Sequence, residues 1–540
     1  MSGNSRWDDD FRARAAERPN AVAVVDPANR EALLGSPPRR LTWTELDAEV
    51  DAVATVLLEH GIGADDVVGT QLPNTVELVI AYLACARIGA IVSPFPMPYR
   101  EYELTQLGAV AGLSALVTVG AFAGRAHAAQ ARTVADGLPG LDTVLAWGPE
   151  LPAGVESLDA LPTPAKPVPH IQRHPADVVT LCWTSGTEAT PKGVPRDANG
   201  WRVIGEGCAA APQLTADDVI LSPFPLVNMA GFGGVFMPWL LTGARLVQHH
   251  PFDLPTFLQQ IATERVTYTL APPALLTGML NAPGLLDAAD LSSLRVIGSG
   301  SAPLTGQLIR EWRDRFGIEV TNFFGSNEGV PLISDQFTVP DPDARAAYFP
   351  WFGGPGLSWP NPASIGVRTR LVDLATGEEI TKPGLPGELR VTGPTIFSGY
   401  WGGVGDPFDA EGYYRSGDVF AIAEEDPRLL RYVGRARDII VRGGMNISPA
   451  ELEDLLVEHP AVAEVAVVGM PDELLGERTA AVVVLTPGAD PPTLDELVAL
   501  LRERMIASYK LPERLEVVDA LPRNPVGKVL KRELREWLRA

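Results

Sequence analysis

Cysteine is scarce in this sequence, and its scarcity argues against two classes of protein. Only three cysteines, Cys85, Cys182 and Cys208, occur in 540 residues, and none stands at the short spacing of a metal site. A structural zinc site needs clustered thiols or imidazoles, and a disulfide framework needs an even set of cysteines. The sequence therefore predicts neither, and it favours a reducing compartment, the cytoplasm.

Long apolar runs are also missing. The most apolar window, residues 76–92, contains Glu77 and Arg87 and is followed by Pro94. It is therefore too interrupted to cross a bilayer as a helix. The first ten residues are polar and acidic, and they lack the basic and apolar regions of a signal peptide. We expect neither a membrane span nor an export signal.

Positive charge is in deficit. Lysine and arginine number 44 against 67 aspartates and glutamates, which gives a formal net charge of -23. A surface of this sign repels the phosphates of DNA and RNA, so no nucleic-acid partner is expected. ATP is not excluded, because a nucleotide site can be locally positive inside an acidic protein.

The sequence does show the alternation of helix and strand patterns that is typical of α/β folds. Thr44 is placed to cap a helix over residues 45–60, whose apolar residues recur at helical spacing. Asn74 and Glu77 resemble the capping box of a second helix, which Gly89 ends. Short β-branched runs follow such helices at residues 90–92, 115–119 and 178–183. We therefore predict α/β layers with largely parallel strands.

The pattern changes twice toward the carboxyl end. Residues 340–435 hold strands with frequent Gly and Pro turns and no long helical pattern, which predicts a small β-rich subdomain. Alternation of helix and strand returns afterwards, with helices predicted at 451–459 and, behind the cap residue Thr493, at 494–505. The predicted boundary between two domains falls at 435/436.

A loop rich in glycine and hydroxyl residues follows the apolar run that ends at Trp183. It reads TSGTEATPKG over residues 184–193, and its phosphate-binding candidates are Thr184, Ser185, Gly186, Thr187 and Lys192. Backbone N–H groups of small residues can approach a polyphosphate closely, while hydroxyls and a lysine add donors and positive charge. The spacing is not that of a Walker loop. A polar surface turn is the alternative interpretation.

Further motifs follow along the chain. They read SGSAPL at 299–304, NFFGSNE at 322–328, GYW at 399–401, YRSGD at 414–418, GRARDIIVRGGMN at 434–446 and PRNPVGK at 522–528. In this order, over nearly the whole chain, the set resembles the ANL superfamily of adenylate-forming enzymes, which groups acyl-CoA synthetases, peptide-synthetase adenylation domains and luciferases. Within it, the chain is similar to the AMP-forming acyl-CoA synthetases, or acyl-CoA ligases. For GYW a structural role is expected.

The resemblance implies a fold and a domain plan. The fold would be α/β, with a large amino-terminal AMP-binding and acyl-binding domain over residues 1–435. This domain would comprise two α/β layered subdomains and a small β-barrel-like subdomain. A small mobile α+β domain, residues 436–540, would follow, with a hinge at Arg437 and a catalytic lysine, Lys528.

The resemblance also implies a site for ATP and Mg²⁺. Phe324 would stack on the adenine, and Asp418, with Arg435 beside it, would accept the ribose hydroxyls. A carboxylate has two acceptor oxygens for a vicinal diol, and Glu328 is a hard oxygen ligand suited to Mg²⁺. Asn327 replaces the usual threonine, and its amide would donate to a phosphate oxygen. The other residues implied at the nucleotide are Ser301, Ala302, Pro303, Asn322, Phe323 and Gly325.

Catalytic roles are implied for Lys528, Glu328 and Thr184. A carboxylate that attacks the α-phosphate brings two anions together, so positioning and charge stabilisation are sufficient for catalysis. Lys528 would bridge the carboxylate and α-phosphate oxygens as the charge rearranges. Coenzyme A would then reach the acyl carbon past the bare backbone of Gly443 and Gly444.

An apolar carboxylic acid is the implied substrate. The acyl pocket would be lined by Asn228, Met229, Phe232, Gly300, Gly325 and Ser326. Residues 223–247 contain no acidic residue, whereas peptide-synthetase adenylation domains place an aspartate in this region to pair with the α-amino group. The apolar composition of this segment favours an acid without that group.

Three positions depart from the commonest family pattern, namely Glu188, Asn327 and Asn228. The last stands where a histidine or another ring usually gates the acyl pocket and the pantetheine tunnel. An enzyme that stops at the acyl-adenylate, or passes the acyl group to an acyl carrier protein or a partner enzyme, is therefore an alternative to transfer onto coenzyme A.

A non-catalytic nucleotide-binding relative is a further alternative. Such a protein should have lost Lys528, Glu328 or Asp418, and all of these are present. The sequence does not identify the acid, and it leaves open whether the protein forms a homodimer.

Overall fold

The computed structural model describes residues 6–161, 164, 166–171, 173–184, 191–442, 445–472, 474–504, 506–523 and 529–539. The chain divides into two compact units. The first contains the described residues of 1–186, 190–369 and 391–414, and the second contains those of 370–390 and 415–540.

The first unit holds two large, mostly parallel sheets. Among the described residues, one sheet has seven strands, in the spatial order Glu156–Ser157, Thr143–Trp147, Leu113–Val119, Val67–Gln71, Ile91–Pro94, Val178–Trp183 and Gly193–Asp197. Only the last pair is antiparallel. The strand Val178–Trp183 directly precedes the glycine- and hydroxyl-rich loop.

The second sheet of this unit brings the next motifs to its edge. Among the described residues it has eight strands, in the order Pro331–Ser334, Glu319–Gly325, Val296–Gly300, Tyr268–Leu270, Val219–Ser222, Arg245–Gln248, Val22–Val25 and Arg40–Thr42. Its interior strands are parallel, and both edge pairs are antiparallel. Ligand sites of parallel sheets lie at the carboxyl ends of the strands. The predicted nucleotide-binding segments 299–304 and 322–328 lie at the carboxyl ends of the strands Val296–Gly300 and Glu319–Gly325.

Helices cover both sheets, and the helix Val76–Ile88 is buried along nearly its whole length. The helices of the first unit are Trp7–Glu17, Arg30–Leu34, Trp43–Glu59, Val76–Ile88, Glu101–Ala111, His127–Gly137, Ala198–Ala210, Met229–Gly231, Met237–Thr242, Leu254–Glu264, Pro273–Leu280, Pro283–Leu286, Gly306–Phe316 and Pro342–Ala347. A π-helical turn, Phe232–Phe236, the 3-10 turns Pro362–Ser364 and Trp401–Gly403, and the strand Tyr348–Pro350 complete the elements described there.

The predicted cap of the first long helix was wrong by two residues. The helix begins at Trp43, and its cap is Thr42, whose Oγ1 accepts the N–H of Glu45 at 3.2 Å while the Glu45 carboxylate accepts the N–H of Thr42 at 2.8 Å. This reciprocal capping box requires the glutamate three residues after the cap. Thr44 does not meet that spacing.

The capping box predicted from Asn74 and Glu77 was also wrong. The helix begins at Val76, whose N–H donates to the carboxylate of Asp26 at 2.9 Å. Glu77 is buried and binds both terminal nitrogens of Arg30, at 2.8 and 2.7 Å. The predicted end is confirmed, since Gly89 caps the helix in the left-handed conformation with φ of 75°.

The second unit contains a smaller β-rich part. Five strands that lie wholly or partly in it follow the order Leu429–Arg435, Tyr414–Ile422, Pro386–Thr392, Arg368–Val372 and Glu379–Ile380. Among the described residues the first and last strands of this order do not pair with each other, so the sheet is open. The first two are antiparallel, and their register sets Asp418 opposite Arg435.

The rest of the second unit is an α+β arrangement. Its described strands are Met445–Ile447, Ile440–Arg442, Gly476–Leu485, Val462–Asp472 and Arg514–Val517, and its helices are Pro449–Leu456, Leu494–Glu503 and Lys531–Arg539, with a 3-10 turn at Ser508–Lys510. Thr493 caps its helix as predicted, and Glu496 completes a capping box. The helix predicted at 451–459 begins and ends earlier, because Ser448 is the cap and Pro449 takes the first helical position.

Membrane crossing was tested on the helices. In the described part of the chain, none is both long and apolar enough to traverse a bilayer.

Candidate active site

The predicted phosphate loop is closed at its base by Thr184 and Lys192. The Thr184 N–H donates to the Lys192 carbonyl at 3.0 Å, and the Lys192 N–H donates to the Thr184 hydroxyl at 3.0 Å. These paired hydrogen bonds hold the two ends of the loop together. Ser185, Gly186 and Thr187, the other predicted phosphate-binding residues of this loop, lie outside the described residues.

Glu328 is a buried carboxylate with a fixed orientation. Its exposure is 8%, and its Oε1 accepts a hydrogen bond from the Tyr400 hydroxyl at 3.0 Å. Its carbonyl accepts the N–H of Phe397 at 2.9 Å. The Lys192 ammonium lies 4.9 Å from the centre of the Tyr400 ring, within the range of a cation–π contact. Tyr400 therefore links the lysine to the glutamate.

Asn327, the neighbour of Glu328, joins two other segments. Its Nδ2 donates to the Trp183 carbonyl at 3.0 Å, and its Oδ1 accepts the N–H of Met229 at 2.8 Å. An amide carries two N–H groups, so one remains for the predicted contact with a phosphate oxygen.

Together these contacts form a closed circuit in the first unit, which we call the contact ring. It passes through Trp183, Thr184, Lys192, Tyr400, Glu328 and Asn327 by hydrogen bonds, one cation–π contact and two peptide links. Three motifs that are far apart in the sequence thus meet at one place.

The contact ring includes a carboxylate, Glu328, that could bind Mg²⁺. Among the described residues no group of three or more His, Cys, Asp or Glu side chains is arranged to hold a metal ion. Mg²⁺ bound with a nucleotide does not require such a group, because phosphates and water supply most ligands and one or two carboxylates suffice. The buried Glu328 fits that role.

The predicted adenine side is formed by two adjacent parallel strand ends. Gly300 lies opposite Phe323, and a Cβ at Gly300 would stand 2.4 Å from the Phe323 carbonyl oxygen, so only glycine fits. Phe324 packs edge-on against Phe349, with ring centres 5.8 Å apart. Ser301 adopts a left-handed φ of 70° in an exposed turn that continues through Ala302 and Pro303. A non-glycine residue in this conformation is strained, and such residues occur often at binding sites.

The Asn322 side chain donates hydrogen bonds to two backbone carbonyls of the first unit. Its Nδ2 donates to the carbonyls of Arg345 at 3.0 Å and Ala346 at 3.1 Å. Both N–H groups of the amide are therefore engaged, which gives this predicted ATP-binding residue a role in positioning the strand end.

The predicted acyl segment begins with a helix cap. The Asn228 Oδ1 accepts the N–H groups of Ala230 at 3.1 Å and Gly231 at 3.3 Å. Phe232 is fully buried and packs on the rings of Trp7, Tyr82 and Trp201 in the core beneath. Gly325 and Ser326, at the end of the neighbouring strand, are more accessible.

The predicted ribose pair is assembled in the second unit. Asp418 is 1% exposed, and its Oδ1 lies 2.8 Å from the Arg435 Nε. The Ser416 hydroxyl accepts the N–H of Asp418 at 3.1 Å. Arg437 lies in the turn between the strands Leu429–Arg435 and Ile440–Arg442. Lys528, Gly443 and Gly444 lie outside the described residues.

Sequence reasoning missed two residues near Glu328. A structural role was expected for the GYW motif, and the hydroxyl contact of Tyr400 adds a candidate role in orienting the Glu328 carboxylate. Arg196 is 2% exposed, and none of its guanidinium nitrogens has a hydrogen-bond partner among the described residues. Burial lowers the pKa of Arg196 to about 10, against the opposing influence of Asp197, Cys182 and Glu328. A single arginine in a short strand, such as Arg196, does not by itself indicate a functional site in the sequence.

An enzyme that joins a carboxylic acid to the α-phosphate of ATP makes no covalent bond to its substrate. It needs donors, positive charge and a metal ligand at set positions. The contact ring offers a lysine, an amide donor and a buried carboxylate, and these groups suit an adenylate-forming enzyme. The chain belongs to the family of AMP-binding enzymes, whose model matches residues 11–401, and the model of the AMP-binding enzyme C-terminal domain matches residues 451–528. The resemblance to the ANL superfamily is thereby confirmed.

Individual relatives agree with this assignment over nearly the whole chain. The chain is 31% identical to the medium-chain fatty-acid–CoA ligase of Escherichia coli strain K12, over 99% of this chain and 90% of the relative. It is 34% identical to the indoleacetate–CoA ligase of Aromatoleum aromaticum, over 93% of this chain and 94% of the relative. The crystal structure of ATP-bound MatB from Rhodopseudomonas palustris matches with a TM-score of 0.80 at 26% identity, covering 99% of both chains. The predicted α/β fold, with a large amino-terminal and a small carboxyl-terminal domain, is confirmed.

Proposed function

We propose that this protein activates an apolar carboxylic acid with ATP and then transfers the acyl group to coenzyme A. The first step gives an acyl-adenylate and pyrophosphate, and the second gives a thioester and AMP. The observation that carries the proposal is the contact ring, in which the base of the phosphate loop, Tyr400 and the buried Glu328 are held to one another.

In the first step the chain's own residues neutralise and align charge. Lys192 would supply positive charge to the phosphates, and the small and hydroxyl residues of its loop are of the types that donate hydrogen bonds to phosphate oxygens. Glu328, oriented by Tyr400, would hold Mg²⁺, which supplies Lewis-acid stabilisation of the leaving pyrophosphate. Lys528 is the proposed cation between the attacking carboxylate and the α-phosphate. Asp418 and Arg435 are the proposed ribose ligands.

The substrate class follows from the acyl segment. Residues 223–247 carry no acidic side chain, so no carboxylate there can pair with the ammonium group of an amino acid. The related ligases named above act on a medium-chain fatty acid and on indoleacetate. An aliphatic or aryl monocarboxylic acid is therefore the proposed substrate.

The second step is assigned to the carboxyl-terminal domain, with the boundary at 435/436. Rotation at Arg437 would withdraw Lys528 and bring the Gly443–Gly444 loop to the acyl carbon. One observation favours a different acceptor, because the Asn228 side chain caps a helix in place of the ring that gates the pantetheine tunnel. Transfer to an acyl carrier protein is the second candidate. The cytoplasm is the proposed location, and a homodimer stays a prediction.

The first experiment tests adenylation alone. Purified protein with ATP and Mg²⁺ is given one acid at a time, with hydroxylamine to trap the acyl-adenylate and pyrophosphate release as a second readout. The panel is octanoate, indole-3-acetate, 3-phenylpropanoate and phenylalanine. The last two differ only in the α-amino group, so their ratio measures discrimination against amino acids. We expect turnover with at least one of the first three and at least tenfold less with phenylalanine.

The second experiment adds coenzyme A. Thioester formation at a rate equal to or above that of the trapped adenylate supports transfer by this chain. Pyrophosphate release without thioester would favour the carrier-protein alternative. No acid-dependent pyrophosphate release with any acid of the panel would contradict the proposed function.

A further inference from the structure

The amide of Asn327 lies between two segments that belong to different substrates. Its Nδ2 donates to the carbonyl of Trp183, the last residue before Thr184 and the phosphate loop. Its Oδ1 accepts the N–H of Met229, the first residue of the helix that opens the acyl segment. A single planar group therefore sets the separation of the two segments.

The Met229 end of this bridge completes the cap of a helix. The first N–H groups of a helix have no partner within the helix itself. Here the Asn228 Oδ1 accepts those of Ala230 and Gly231, and the Asn228 carbonyl accepts that of Phe232 at 2.8 Å. The N–H of Met229 is the remaining one, and among the described residues only the Asn327 Oδ1 accepts it. Loss of the bridge leaves one helix N–H without its partner.

Threonine is the usual residue of the resembling motif, and its hydroxyl can both donate and accept. Both functions lie on one oxygen attached to Cβ, whereas asparagine presents its donor and acceptor on two separate atoms, one bond farther out. We therefore expect threonine not to reach both partners. The replacement by Asn327 therefore changes what this position does. It adds a tie between loop and acyl segment to whatever contact the second N–H makes with phosphate.

We propose that Asn327 is a positioning residue that couples the ATP loop to the acyl segment, so that occupation of one orders the other. The proposal rests on the proposed function, because it assigns the two segments to ATP and to the acid. The Trp183 carbonyl, next to Thr184, and the Asn327 amide connect the start of the ATP loop to residues 229–232. Binding of ATP alone therefore makes the acyl segment more rigid.

Hydrogen exchange measures this coupling without turnover. Backbone exchange of the peptide that contains residues 229–232 is followed with and without ATP and Mg²⁺, in the wild type and in two variants. Asn327→Asp keeps the acceptor for Met229 but sets a carboxylate oxygen against the Trp183 carbonyl. Asn327→Thr removes both contacts. Asn361→Asp is the matched control, since Asn361 also bridges a carbonyl, that of Gly207 at 3.1 Å, and an N–H, that of Ala363 at 2.9 Å.

The expected results separate the two halves of the bridge. In the wild type and in Asn361→Asp, ATP slows exchange at 229–232 several-fold. In Asn327→Asp the protection without nucleotide is retained, but the ATP-dependent increase is lost. In Asn327→Thr exchange is faster even without nucleotide. ATP protection of 229–232 in Asn327→Asp equal to that of the wild type would overturn the proposal, as would its absence in the wild type.

Kinetics give a second, independent readout with the best acid of the panel. Loss of the Trp183 contact should raise KM for ATP and KM for the acid together, each by about tenfold, the usual effect of one buried hydrogen bond. An increase in KM for ATP alone would assign Asn327 to phosphate binding only and overturn the coupling. A lower active fraction with both KM values unchanged, as expected of Asn361→Asp, would reduce Asn327 to a structural residue and also overturn it. Failure of the proposed function is distinct, because the wild type would then release no pyrophosphate.

Discussion

Two arginines of the first unit are buried to nearly the same degree but differ in their surroundings. Arg87, 1% exposed, makes ion pairs with Asp8 at 2.9 Å, Asp47 at 2.6 Å and Asp51 at 2.8 Å. Arg196, 2% exposed, has no hydrogen-bond partner among the described residues and lies 5.0 Å from the centre of the Trp201 ring. Arg87 belongs to a cluster of paired charges, whereas Arg196 lies close to Glu328. The two surroundings predict opposite effects of removing the charge, because carboxylates would lose their cation at Arg87 but no hydrogen-bond partner of the described residues would lose one at Arg196.

The largest expected effect on stability is at Arg87. Arg87→Met leaves Asp47 and Asp51 without the cation they share, and it leaves Asp8, which is 1% exposed, with Arg12 as its remaining ion-pair partner. Removal of one partner from a buried ion cluster costs about 3–5 kcal/mol. We expect the free energy of unfolding, measured in urea, to fall by that amount while kcat per folded molecule stays unchanged. A loss below about 1 kcal/mol would contradict the scaffold assignment.

Glu328 is the matching test inside the site. Glu328→Gln keeps an acceptor for the Tyr400 hydroxyl but removes the charge that a metal ion needs. Adenylation should fall about a hundredfold, comparable to the loss of one transition-state ligand. The urea midpoint should move little, in contrast to Arg87→Met. Tyr400→Phe is the control for orientation, and we expect a smaller loss of rate from it.

The sequence predicted well what depends on local pattern. The strand before Thr184, the helix end at Gly89 and the cap at Thr493 follow from β-branched runs, a left-handed glycine and the capping-box spacing. It could not show that Glu77 is needed by Arg30, because that pair joins residues 47 positions apart. Tyr400 and Arg196 escaped for the same reason, as did the bridge that Asn327 makes between Trp183 and Met229. Their roles arise from contacts that only the fold creates.

A buried histidine of the scaffold provides a pH test. Burial lowers the pKa of His127 to about 4, with a further contribution from Arg125, below its usual value of 6.5. The folded state therefore holds the neutral ring, and the unfolded state binds the proton first as pH falls. Stability from this residue is present above pH 6.5 and is lost between pH 6.5 and 4.

The matched variant for this test is His127→Gln. The fall in unfolding free energy from pH 7 to pH 4.5 should be smaller than in the wild type by about 2 kcal/mol. An identical pH dependence in both proteins would contradict the assignment of a neutral buried ring.

The smallest expected effect is at Arg196, and it sharpens the contrast with Arg87. Arg196→Met removes a buried cation that has no hydrogen-bond partner among the described residues, and a side chain of similar length fills the space. Replacement of a poorly compensated buried charge by an apolar group is neutral or stabilising, here by about 1 kcal/mol. A loss of more than about 2 kcal/mol in urea unfolding would show that Arg196 is paired as effectively as Arg87.

We propose that Lys528, a cation near the carboxyl end, completes the chemistry of the nucleotide site predicted in the first unit. ATP–pyrophosphate exchange, with the best acid of the panel, tests it in Lys528→Ala beside Lys382→Ala, an exposed lysine of the second unit. We expect exchange to fall at least a hundredfold in Lys528→Ala, while ATP still binds, and to match the wild type in Lys382→Ala. Near-normal exchange in Lys528→Ala would contradict the account.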